Sequence, residues 1–326
     1  MRELTYAEAI AEALAEEMER DPRVFVLGED IGVMGGNFGP TKGLYERFGG
    51  ERVRDTPISE DAIIGLSLGA ALLGQRPVPE IMFSSFLGCC MDEIWNQVAQ
   101  VRYMSGGQFE VPMVIRTVNS LGRSGGAHHS GRPEAWFTHI PGLKVCIPAT
   151  PYDAKGLLKA SIRGKDPVMV FEHALLYRTT GGVPEDDYTV PLGEAIVRRE
   201  GTDVTIFAYS IMVRKALAAA EQLAAEGISV EVVDPRTLVP LDTHLLLESV
   251  RKTNRLLVAE EDCRTGGVGA EIAATVTEQA FDSLDAPPIR LASLDCPVPF
   301  SPTLERYIMP NEDDIVAATK RLLGIL

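Results

Sequence analysis

A chain of 326 residues is longer than a single hydrophobic core usually serves, so its length predicts two domains. With 45% hydrophobic and 24% charged residues it falls among ordinary globular proteins, which excludes a fibrous or a disordered chain. A formal net charge of -15 disfavours nonspecific binding to nucleic acid or to an anionic membrane.

Thr5-Tyr6-Ala7-Glu8 is a capping box, and Ala9, Ile10, Ala13, Leu14 and Met18 follow at helical spacing, which predicts a first helix through Arg20. Val24 to Leu27 predicts a buried strand ending in Gly28-Glu29-Asp30 and a glycine-rich loop. Loops at strand ends are where open α/β sheets place ligands. The run has neither a P-loop pattern nor a GxGxxG spacing, so tight turns explain its glycines as well as a phosphate cradle does.

The chain is organised around Asp55-Thr56-Pro57-Ile58-Ser59-Glu60, which ends a strand, turns through proline and delivers Glu60 to the first turn of a helix. That helix, Asp61 to Gly74, is apolar or small on nearly every face, which predicts full burial. Gly65 and Gly69 leave room for another backbone to come close. Glu60 is open to two readings: a favourable charge at the helix N-terminus, or an acid-base carboxyl with a pKa raised by burial.

Val78 to Phe83 is the next predicted strand and Met91 to Tyr103 the next helix, followed by strands at Val111 to Ile115, Leu143 to Ile147 and Val168 to Phe171, and a helix at Asp153 to Arg163. Strands alternating with helices imply crossovers and a mainly parallel sheet. Gly181 to Asp187 has linker chemistry. The alternation then restarts, with strands at Val204 to Ala208, Ser229 to Val233, Leu256 to Ala259 and Ile289 to Leu291 and helices between and after them. The expected fold is α/β with two parallel-sheet domains, residues 1–182 and 195–326, joined by a linker at 183–194.

His128 and His129 lie in a glycine-flanked loop, Ser124 to Ser130, where a histidine serves acid-base work more readily than on an apolar helix face. An idle exposed histidine is the alternative, and no metal-ligand spacing accompanies the pair. Phe83 and Phe86 flank Ser84-Ser85 after a strand, placed either to pack in the core or to stack on a flat heterocycle. Gly266 to Gly269 before a helix fits an anion site or a tight turn equally. Five cysteines without a CxxC pair indicate a reducing compartment. The sequence begins Met1-Arg2-Glu3-Leu4 with no apolar signal core, so the expectation is a cytoplasmic protein, or the processed form of one in the mitochondrial matrix.

Several of these stretches, together with Arg102-Tyr103-Met104-Ser105-Gly106-Gly107-Gln108, Pro141-Gly142-Leu143-Lys144-Val145, Pro151 to Leu158, Val232 to Asp242 and Gly269-Ala270-Glu271-Ile272, run in an order that resembles one family over almost the whole chain. It is the beta subunit of the thiamine-diphosphate-dependent decarboxylating component of 2-oxo acid dehydrogenases. The resemblance implies a pyrimidine-binding domain followed by a transketolase-type C-terminal domain, in an α2β2 heterotetramer that passes an acyl group to a lipoyl acyltransferase core. It assigns Glu60 to the cofactor's aminopyrimidine ring, Phe86 to the aromatic packed on that ring, and Ile58 and Met82 to the neighbouring wall. His129 corresponds to the histidine near the substrate and lipoyl entrance.

The chain contains no Gly-Asp-Gly segment, through which thiamine enzymes of this class hold diphosphate and magnesium. By resemblance this is half an active site, with Mg2+ held mainly by an alpha chain. Three departures from the family pattern stand out. Gly131-Arg132 follows His129-Ser130 in place of glutamine and a small polar residue. Phe83 to Phe86 lacks an aspartate. The loop that holds potassium in the family reads Ile162-Arg163-Gly164-Lys165-Asp166, which leaves Ile162 and Asp166 as candidates for a K+ site. The implied activity is oxidative decarboxylation of pyruvate or a branched-chain 2-oxo acid. Alternatives are an acetoin dehydrogenase beta subunit, a split transketolase or a non-catalytic scaffold, and the acyltransferase is expected near Asp295 and the C-terminal residues.

Overall fold

A computed structural model of the chain, described over residues 1–325, has an α/β architecture with two large sheets and a two-stranded ribbon of Arg2–Thr5 and Thr180–Val183. Its strands are β1 (Arg2–Thr5), β2 (Val24–Gly28), β3 (Val53–Asp55), β4 (Arg76–Ile81), β5 (Val114–Asn119), β6 (Lys144–Cys146), β7 (Val168–His173), β8 (Thr180–Val183), β9 (Ile196–Arg199), β10 (Val204–Ala208), β11 (Val230–Asp234), β12 (Thr237–Val239), β13 (Leu256–Cys263) and β14 (Ile289–Ser293). The first sheet runs β12-β6-β7-β5-β4-β2-β3 and the second β14-β13-β10-β11-β9. Inner pairs are parallel, and the edge strands β9 and β12 run antiparallel to their neighbours.

Local chemistry accounts for much of this. Thr5 Oγ1 accepts from the Glu8 amide at 3.2 Å while Glu8 accepts from the Thr5 amide at 2.8 Å, so the capping box starts the Tyr6–Arg20 helix. That helix packs on the Pro151–Arg163 helix, whose fully buried Lys155 and Lys159 are neutralised by Glu12, Glu16 and Asp187. Pro77 and Pro79 lack amide donors two residues apart, on one edge of β4. The strand pairs with β2 from Arg76 to Glu80 but with β5 only at Glu80 and Ile81.

Three expectations are corrected, and one pairing is unforeseen. The helix at Glu60–Leu72 buries Ile63, Ile64, Ser67, Leu68 and Ala71, but Leu66 is 68% exposed and Leu73 85%. An all-round apolar helix has two faces to cover, and this chain covers one. The expected helix from Met91 to Tyr103 follows a 3-10 turn at Ser84–Cys90 and is itself broken into a π segment at Glu93–Val98 and a short helix at Val101–Met104. In the π segment the Ala99 amide reaches back five residues to the Ile94 carbonyl, and the wide turn keeps both Ile94 and Val98 in the core. Gly181 to Val183, the start of the stretch with linker chemistry, belong to β8 and pair with β1. Finally, β12 comes from the second half of the chain yet closes the first sheet beside β6.

The order of the first sheet positions a site. From β2 the chain moves outward to β3; from β4 it moves the other way, to β5. A crevice therefore opens between the carboxyl ends of β2 and β4, where Gly28 lies opposite Glu80.

Candidate active site

The crevice is floored by buried charge. Arg116 on β5 donates from Nη1 to Glu80 at 2.7 Å and from Nε to Glu172 at 2.7 Å, and the Tyr177 hydroxyl donates to Glu172 at 2.6 Å. All four side chains are buried. Burial pushes the Glu80 carboxyl up, against the pull of Arg116. One guanidinium spanning β4, β5 and β7 fixes the spacing of three strand ends.

Above this floor stands an aromatic group. Phe83, just past the end of β4, meets Phe86 edge-on with centroids 5.6 Å apart, and the His129 ring meets Phe83 at 5.1 Å and Phe86 at 5.4 Å. Phe38 adds an edge contact to Phe83 at 6.0 Å, and Met82 Sδ lies 3.6 Å from Asn37 Nδ2. Met82, Phe86 and His129, three of the residues singled out in the sequence, thus gather at one strand end. His129 is exposed, with Met82 and Phe86 half-buried.

Glu60 enters from the other side, in the first turn of its helix, which packs on the Ser84–Cys90 turn that carries Phe86. Full burial is not what the chain alone provides, since Glu60 is half-buried. Its charge is felt by two neighbours. Burial and then Glu60 push the Glu29 carboxyl up, and burial followed by Glu60 pushes the Cys90 thiol up to about 12. Ile58 is 82% exposed and is not packed into the chain's own core.

The sequence places Glu29 at a strand end but does not single it out as a site candidate. It is a buried carboxyl at the carboxyl end of β2, facing Glu60 across the crevice. Its available signal was position, since the strand Val24–Gly28 hands its next side chain straight to the switch point.

The departures in the histidine loop have structural counterparts. Ser85 Oγ accepts from the Gly131 amide at 2.8 Å, and Ser84 Oγ donates to the Gly131 carbonyl at 2.9 Å. A Cβ at position 131 would lie 2.4 Å from Ser85 Oγ and 3.0 Å from its Cα, so only glycine fits this contact. Arg132 turns away from the aromatic group and donates from Nη2 to Cys263 Sγ at 2.9 Å. Behind the loop, a cavity of about 440 Å3 between the two halves is lined by Ser85, Gly131, Arg132, Asp262, Cys263 and Cys296.

Ile162 and Asp166 lie away from this crevice, by the amino ends of β4 and β7, Ile162 near the end of the Pro151–Arg163 helix and Asp166 just before β7. The Ile162 and Gly164 carbonyls each accept from Arg76 Nη1 at 2.7 Å, and the Asp166 carboxylate is paired with Arg102 and Lys144. These two candidates are therefore already engaged by the chain's own cations, a poor fit to a potassium ion. Among the described residues no group of three or more His, Cys, Asp or Glu side chains is arranged to hold a metal, and no helix is long and apolar enough to cross a membrane.

Residues 2–180 match the transketolase pyrimidine-binding domain and residues 193–315 the transketolase C-terminal domain. The chain is 48% identical to the 2-oxoisovalerate dehydrogenase subunit beta of Bacillus subtilis (strain 168) over 324 residues, covering 99% of each chain. It is 47% identical to the acetoin:2,6-dichlorophenolindophenol oxidoreductase subunit beta of Cupriavidus necator over 332 residues, covering 99% of this chain and 98% of that one. With the pyruvate dehydrogenase E1 component subunit beta of Gracilaria tenuistipitata var. liui it shares 44% identity over 323 residues, 99% of this chain and all of the relative. Among solved structures, a split-gene transketolase described as an inactive beta4 tetramer superposes with a TM-score of 0.79 at 27% identity, covering 99% of both chains. On the order of its motifs, its two domain types and relatives matched end to end, the chain belongs to the beta-subunit family of the thiamine-diphosphate-dependent E1 components of 2-oxo acid dehydrogenases.

Proposed function

We propose that this chain is the beta half of a two-chain 2-oxo acid dehydrogenase, acting on pyruvate or a branched-chain 2-oxo acid and delivering the acyl group to a lipoyl acyltransferase. The observation that carries the reading is the grouping of Phe83, Phe86 and His129 at the β4 end of the crevice, beside the helix that begins at Glu60. Half a cofactor fits there. The aromatic edges suit the flat pyrimidine of thiamine diphosphate. Glu29, Asp55 and Glu60 at the strand ends would repel a diphosphate, which supports a magnesium and diphosphate site on an alpha chain.

When bound, thiamine diphosphate supplies the carbon nucleophile and electron sink for decarboxylation. In this reading Glu60 would hold and return a proton at its carboxylate oxygen for the pyrimidine. Phe86 would hold the pyrimidine with Met82 and Ile58 along the wall, and together they would keep water from the carboxylate. His129 carries a proton at its imidazole for the acyl transfer.

The uncovered face of the Glu60–Leu72 helix supports the α2β2 arrangement. Nothing lies within 4 Å of a Cβ built on Gly69, and Leu66 and Leu73 stand free. We assign residues 1–182 and 195–326 to the two domains, with 183–194 between them. Five free cysteines fit a cytoplasmic or matrix setting. The acetoin reading uses the same site and rests on 47% identity against 48%, so it is carried alongside.

Titrating thiamine diphosphate with Mg2+ into this chain, alone and with its alpha chain, tests the proposal. Saturable binding only in the mixture, followed by turnover of 2-oxoisovalerate or pyruvate in preference to acetoin, is the expected result. Tight binding by the lone chain would overturn the split site, and turnover of acetoin alone would select the alternative.

A further inference from the structure

The loop that carries His129 leaves β5 through a strained path. Gly122, Ser124 and Gly126 have φ of +89°, +58° and +70°, and an L-residue such as serine enters that region only when its surroundings hold it there. Such a succession of turns points backbone amides into one concavity, which attracts an anion. The anion is supplied by the other half of the molecule. Glu305, 2% exposed on the Pro302–Ile308 helix, accepts from the Gly122 amide at 2.8 Å through Oε1 and from the Ser124 amide at 2.8 Å through Oε2. Leu121 packs with Val298, Ile308 and Met309 beside it, and Phe300 lies 3.6 Å from the position of a Cβ on Gly126. Nearer His129, the loop is held by Ser120, which donates to the His129 carbonyl, and by the Gly131 contacts to Ser84 and Ser85.

We propose that Glu305 is the positioning residue for His129: a carboxylate of the C-terminal domain that fixes the shoulder of the histidine loop by capping two of its amides at once. The proposal deepens the functional reading above and rests on it for the role of His129. It follows from the geometry. Between Ser120 and the His129 turn, Glu305 supplies charge-assisted bonds to the backbone, and removing it strands two amides in left-handed turns with no other acceptor. Glu305 touches neither the aromatic group nor Glu60, so it acts through the loop.

The test uses the full chain assembled with its alpha partner, in four forms: wild type, Glu305→Ala, His129→Ala and the double variant. Amide exchange at Gly122 and Ser124 is expected to speed up roughly tenfold or more in Glu305→Ala, with exchange in β5 and β7 unchanged. The ratio of lipoyl acylation to decarboxylation is expected to fall about tenfold, with the double variant no slower in acylation than His129→Ala alone. Glu305→Gln, which keeps one acceptor and the side-chain shape, is expected to protect one amide and restore part of the ratio. It also serves if the alanine variant fails to assemble. Unchanged loop exchange, or acylation losses that multiply in the double variant, would overturn the proposal. If His129→Ala alone leaves acylation intact while Glu305→Ala loosens the loop, the anchor stands and the catalytic reading of His129 falls.

Discussion

Beneath the histidine loop, Glu134 lies in an interior shared by both halves, where carboxyls outnumber cations. It is 1% exposed, accepts from Asn119 Nδ2 at 3.0 Å and faces Asp262; burial first and the Asp262 charge second push it up to about 8. Burial likewise raises Asp262 to about 6. A carboxyl whose pKa is higher in the folded than in the unfolded chain stabilises most below its unfolded value, and that contribution is lost as pH rises through the folded value. The wild type should therefore lose stability relative to Glu134→Gln between about pH 5 and pH 8. Melting temperatures of both forms across that range check this, and parallel curves would contradict it. None of this was legible beforehand. Glu134 lies in Pro133-Glu134-Ala135-Trp136, an unremarkable stretch, and only the meeting of β5 and β13 above it turns it into a buried acid. Glu60, Phe86 and His129 could be singled out as candidates because each stands beside a local signal, whether a helix start, a strand end or a glycine loop.

At the scale of elements, the sequence marked most of the parallel strands, though it placed β5 at Val111 to Ile115 where the strand runs from Val114 to Asn119, and it missed the antiparallel ones. β2, β5, β7, β10 and β11 are rich in Val, Ile, Met and Phe and are buried on both faces, with buried polar residues such as Arg116, Glu172 and Glu231 among them. β1, β8, β9 and β12 are three or four residues long, half-polar and paired by contacts distant in sequence, so no periodicity reveals them. The Glu60–Leu72 helix shows the converse. Its composition demanded burial on every side, and in the proposed assembly the remaining side is the one another chain covers. Because nothing stands within 4 Å of a Cβ on Gly69, a Gly69→Leu variant has room in the isolated chain but none beneath a partner helix. It should fold as the wild type does by circular dichroism yet fail to co-elute with the alpha chain in size-exclusion chromatography. Normal assembly would show that this face is not the interface.

For the whole molecule, the two sheets are bound more closely than a linker between domains implies. β12 lends the second half's backbone to the first sheet, and Thr237 on it accepts from the Gly193 amide at 3.0 Å. Both hydrophobic cores also cross the boundary, one joining Tyr6 and Leu158 to Ile206 and Val232, the other Ile63 and Phe137 to Phe207 and Val258. The two halves are therefore expected to unfold together: amides of β7 and β10 should lose protection at one denaturant concentration, and two separated transitions would contradict the shared core.

The same arrangement sets what the molecule can do alone. Its crevice has an acid, an aromatic wall and a histidine, but an acidic rim where a diphosphate would have to lie. The most direct test is the decarboxylation rate of the assembled α and β chains carrying Glu60→Ala, with assembly and cofactor binding checked in the same sample. If Glu60 handles the proton at the pyrimidine, the rate falls by about 100-fold or more. A loss of less than about tenfold, in a complex that still binds thiamine diphosphate, would mean that the chemistry is not organised around this carboxylate.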